Sequence, residues 1–70
     1  MLELLVGTWK TKKETMYFIK VYDEDMVVFQ KTYKNSSRFQ KKYDFLNDVF
    51  KSYYDEECSK EDVLEVLEDN

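Results

Sequence analysis

The chain has 70 residues and a formal net charge of −4, enough length for one domain and no more. Its one cysteine, Cys58, and its lack of histidine exclude an internal disulfide and a structural zinc site, which needs about four Cys or His ligands. The usual general base near neutral pH is also missing, and a chain this short buries only about 60% of its unfolded surface.

Three segments in the first half read as strands. Leu2–Lys10 places Leu2, Leu4 and Val6 on one face and Leu5 and Trp9 on the other. Thr15–Tyr22 is β-branched and aromatic, with Tyr17, Ile19 and Val21 alternating against Met16, Phe18 and Lys20. Met26–Tyr33 alternates Val27, Phe29, Lys31 and Tyr33 against Val28, Gln30 and Thr32. Thr11–Glu14 and Asp23–Asp25 are short enough for hairpin turns, so the strands form an antiparallel meander.

The period then changes. Ser37 followed by Gln40 resembles a capping box, and Phe39, Tyr43, Leu46, Val49, Phe50 and Tyr53 make one stripe of an amphipathic helix from Arg38 to about Glu56. A second box, Ser59 to Asp62, opens a short terminal helix with Val63, Leu64, Val66 and Leu67 as its apolar residues. The expectation is an α+β domain over residues 1–70, with a meander in 1–34 and two helices in 35–70, in the order βββαα. One helix covers one sheet face, yet the second strand carries large apolar residues on both, so either the terminal helix or a second copy in a homodimer is expected to bury the remainder.

Charge changes sharply at Asp55. Residues 1–54 hold ten Lys or Arg and seven Asp or Glu, a balance of +3, whereas residues 55–70 hold Lys60 and eight acids, a balance of −7. Those acids are Asp55, Glu56, Glu57, Glu61, Asp62, Glu65, Glu68 and Asp69. On a helix, Glu61, Glu65 and Glu68 fall along one side, with successive carboxylates roughly 5–6 Å apart. That spacing is comparable with phosphates on a nucleic-acid strand, and two copies would lengthen the track. The same eight residues on a terminal helix also make an ordinary solvated face. The weakly basic remainder gathers Lys31, Lys34, Arg38, Lys41 and Lys42 near the sheet-to-helix junction, among Tyr17, Tyr33 and Tyr43, a pattern that suits phosphate contact and base stacking.

Catalysis has little to draw on. No carboxylate pair sits inside an apolar pattern, and Cys58, between Glu57 and Ser59, has adjacent negative charge opposing thiolate formation. No enzyme activity, metal or cofactor is expected. No apolar run approaches the ~18 residues of a membrane span, and Met1–Val6 is too short and lacks the basic residues of a signal peptide. Aromatic residues make up 17% of the chain, which counts against disorder.

Ala and Pro are absent, and Gly7 and Arg38 are the only residues of their kinds, so residues with GC-rich codons are nearly missing. In size, AT-rich composition and acidic end, the chain resembles the small early host-takeover proteins of lytic phages that infect low-GC bacteria. Within that group it is similar in kind to the acidic DNA mimics that inhibit the histone-like protein HU. The resemblance implies an inhibitor in the host cytoplasm that binds a basic DNA-binding protein and does not bind DNA directly. Other phage inhibitors, anti-CRISPR proteins among them, share these features.

Overall fold

A computed structural model describes residues 1–68. It contains β1 (Leu2–Lys10), β2 (Thr15–Asp23), β3 (Met26–Tyr33), α1 (Ser36–Tyr54) and α2 (Lys60–Glu68). The strands form one antiparallel sheet in the order β1-β2-β3, so the βββαα arrangement expected from the sequence is the one observed.

Alternation along β1 and β2 sends Leu2, Ile19 and Val21 to the helix side, where they pack with Leu46 and Phe50 of α1 and Val63 and Leu67 of α2. All seven are buried. Phe39 at the start of α1 stacks on Tyr17 of β2 and meets Tyr33 of β3 edge-on. At the other end of α1 the two tyrosines reach β1. The Leu2 N–H donates to Tyr53 Oη at 3.1 Å, and Tyr54 Oη donates to the Leu2 carbonyl at 3.1 Å. Burial, aided by the Glu3 charge, raises the Tyr54 phenol above its ordinary value and keeps it a donor.

Three local features differ from the sequence expectation. Helix α1 starts earlier, because Asn35 rather than Ser37 is the cap: its Oδ1 accepts from the Arg38 N–H at 3.0 Å. Asn is as good a cap as Ser, and its place one residue before the helix leaves Ser37 inside the first turn. The helix also ends at Tyr54, two residues short of Glu56, in a Schellman turn. There Glu56 N–H bonds to the Tyr53 carbonyl and Glu57 N–H to that of Ser52. In β3, Val21 pairs with Phe29 while Tyr22 pairs with Val27, so Val28 is an extra residue in a bulge. Val27 therefore shares the outer face with Tyr22 and does not align with Phe29. The second capping box forms as read: Ser59 N–H donates to Asp62 Oδ2 at 3.0 Å, and Asp62 N–H to Ser59 Oγ at 3.2 Å.

Among the described residues no helix covers the outer sheet face. Leu5, Trp9 and Val27 are exposed there, so Trp9 is not a core residue. Trp9 instead lies 5.9 Å from the Phe18 ring, which leans over Gly7. A Cβ on Gly7 would meet Phe18 Cζ at 2.6 Å, so any larger residue would push that ring aside.

Candidate functional site

Element lengths decide which charges meet. A strand of nine residues is about 30 Å long, and the 19 residues of α1 rise about 28 Å. Helix α1 therefore returns the chain to the end of the sheet where β1 begins and β2 turns into β3. Asp55, Glu56 and Glu57 leave α1 beside Met1, which shares a shallow groove with Glu56, Glu57 and Asp62. The Met1 ammonium bonds Glu24 at 2.8 Å, and the Lys60 ammonium pairs with Asp23. That hydrogen bond raises the lysine above its ordinary value.

Three segments thus build one acidic pole: the turn Asp23–Asp25, the link Asp55–Glu57, and α2. Asp55, Glu56, Glu57, Glu61, Asp62, Glu65 and Glu68 are all exposed, and Asp69 lies outside the described residues. The Asp62 carboxylate is engaged in capping. Val63 and Leu67 face the core, so Glu61, Glu65 and Glu68 run along the side of α2 turned to solvent. The sequence reading missed Asp23, Glu24 and Asp25, treating them only as a turn. The equality of strand and helix lengths was the signal that could have placed them.

Some of the acids in the pole stand at positions that local stability does not favour. Glu24 (φ 56°) and Glu56 (φ 62°) occupy the left-handed region, where residues other than Gly cost about 1–2 kcal/mol and Asn is the next best choice. Asn has AT-rich codons, so composition alone does not explain two glutamates. Helix α1 has no acid in its first turn, and Asp55 and Glu56 follow its negative end, the reverse of what its dipole favours. Helix α2 has favourable Glu61 and Asp62 at its start but no basic residue in its last turn. Glu56→Gly is expected to raise stability by about 1 kcal/mol in urea denaturation, because it relieves the left-handed backbone.

The opposite end of the sheet is basic. Lys10, Lys12 and Lys13 flank the β1–β2 turn, and Lys31, Arg38, Lys41 and Lys42 line an open cleft of about 390 Å³ with Tyr33 and Phe45. Lys42 lies over the Phe29 and Phe45 rings. Burial and the charge of Lys31 hold it below the ordinary lysine value, and burial raises the phenol of Tyr33. Glu14 approaches this end, 3.9 Å from Lys34. The molecule is 41 Å long and is electrically bipolar along its strands.

Cys58 is half-buried in the link, with Sγ 3.9 Å from the Val49 carbonyl, and packs against the core. Among the described residues no three His, Cys, Asp or Glu side chains are arranged to hold a metal ion, and no helix is long and apolar enough to cross a membrane. Comparison with known proteins found no matching family model, no matching curated protein and no matching solved structure.

Proposed function

We propose that the chain is an inhibitory binding protein of phage type, which presents its acidic pole to a basic host DNA-binding protein and competes with DNA. An HU-like nucleoid protein is the kind of partner meant. The observation that carries this reading is the gathering of carboxylates from three separate segments at one end of the molecule, two of them, Glu24 and Glu56, in a backbone conformation that other residues fit better. Carboxylates at one-turn spacing on α2 stand in for successive phosphates, and the low-dielectric body behind them focuses the field toward a basic groove. Attraction of this kind speeds encounter more than it deepens affinity, and it is screened by salt.

The basic cleft supports a second reading, a small regulator that grips nucleic acid through Lys31, Arg38, Lys41 and Lys42 and stacks bases on Tyr33 or Phe45. A gel-shift assay with duplex and single-stranded DNA at low salt separates the two. The inhibitor leaves both DNAs unshifted, and retardation of either one would favour the regulator.

A further inference from the structure

The two edges of the sheet differ. In β1, the run Leu4-Leu5-Val6-Gly7-Thr8-Trp9 contains no charge, proline or bulge. Such an edge is a ready template for another strand. In β3, the bulge at Val28 breaks the ladder, Lys31 and Lys34 mark the far half, and Leu64 and Leu67 of α2 adjoin Val28 and Phe29.

Hydrogen bonds fix which backbone groups point outward from β1. Leu2 uses its N–H and carbonyl on the tyrosines of α1. Thr11, of opposite parity, bonds toward Glu14 across the turn at 2.8 Å. Alternation then assigns the outward N–H and carbonyl groups to Leu4, Val6 and Thr8. The same residues turn their side chains to the helix side, where Leu4 and Val6 line a groove of about 440 Å³ with Tyr43, Asn47, Lys51 and Tyr54.

We propose that this edge and groove receive β1 of a second copy, joining two sheets into one six-stranded sheet about a two-fold axis at Val6. Charge selects the copy and its direction. Each protomer is acidic where β1 begins and basic where it ends, so antiparallel pairing sets Lys10, Lys12 and Lys13 of one protomer beside Glu3 and Asp55 of its partner. Parallel pairing would set like against like. Parity allows Leu4 to pair with Thr8 and Val6 with Val6, each exchanging both backbone bonds. The Leu4 and Val6 side chains of each copy then enter the groove of the other, an isologous contact that uses one segment twice. The tyrosine hydroxyls on Leu2 end the ladder. Helix α2 lies toward the β3 side, so both acidic stripes stay free, as two separate faces at opposite ends rather than one longer track.

Sedimentation equilibrium over a range of concentrations tests this without reference to any partner. The intact chain is expected to approach twice its 8.6 kDa mass. Thr8→Pro removes an outward donor that β2 does not use, and it should give a monomer with an unchanged circular dichroism spectrum. Thr32→Pro, at an outward position on β3, should leave the dimer intact. If Thr8→Pro does not fold, the exposed pair Lys12→Glu and Lys13→Glu decides, and it should weaken association roughly tenfold at low salt. A monomeric intact chain would leave the edge to some other extended segment and overturn the proposal. So would a dimer that resists Thr8→Pro and the charge reversals, or one that Thr32→Pro dissolves.

Discussion

Reversing Glu61, Glu65 and Glu68 to Lys is expected to abolish binding to the basic partner while leaving the fold in place. The substitutions take the formal charge from −4 to +2, because each reversal adds two units. They also replace an acidic stripe with a basic one, which the proposed reading sets opposite a basic groove. Like-charge juxtaposition at an interface costs several kcal/mol, and a loss of about 3 kcal/mol corresponds to roughly a hundredfold in affinity. The fold should survive because all three side chains are exposed and Lys matches Glu as a helix former. Lys41→Glu, at the opposite pole, should leave affinity within about twofold at about 0.1 M salt, where screening removes most interaction beyond a Debye length of roughly 8–10 Å. Isothermal titration of the triple variant at low salt checks the first expectation, and wild-type affinity would sink the acidic-face reading.

Phe50→Ala should bring the domain close to unfolding. Phe50 is 2% exposed and meets Tyr53 and Tyr54 edge-on at 6.1 and 5.9 Å. Removing a buried Phe costs about 3–5 kcal/mol, whereas a chain of this length is held by only about 4–10 kcal/mol in all. The same ring supports the two tyrosines whose hydroxyls tie α1 to Leu2, so the link between helix and sheet weakens together with the core. Urea denaturation followed by tryptophan fluorescence measures the loss. A cost below about 1 kcal/mol would mean that the core has been wrongly placed.

Much of the fold is legible in the sequence because period and pairing agree. Alternation identifies Ile19 and Val21 as core, spacing of three and four residues identifies Leu46 and Phe50, and Ser59 with Asp62 opens α2 as a capping box should. The departures are local, where two acceptable chemistries compete. Asn35 and Ser37 are both good caps, and only the path of the chain leaving β3 decides for Asn35. A bulge leaves no mark in an apolar run such as Met26–Phe29, so the face of Val27 was misread. Trp9 suits either a core or an interface by its side chain, and among the described residues no helix covers the face it occupies.

The site was half legible. The charge step at Asp55 is a one-dimensional feature, and it located the α2 stripe and the link. The contribution of Asp23–Asp25 depends on chain reversal, since these residues lie some 30 positions away from the link in sequence. Backbone conformation at Glu24 and Glu56 was not legible at all, because glutamate carries no preference for the left-handed region that would announce it. These two residues now supply a reason to treat the acidic pole as more than a solvated end.

Fluorescence anisotropy of a labelled duplex bound to an HU-like protein tests the central claim most directly. Added chain should release the DNA at low salt, with the release weakening as salt rises and with no anisotropy change when chain and duplex are mixed alone. DNA that stays bound at saturating chain, or a duplex that the chain itself binds, would contradict it.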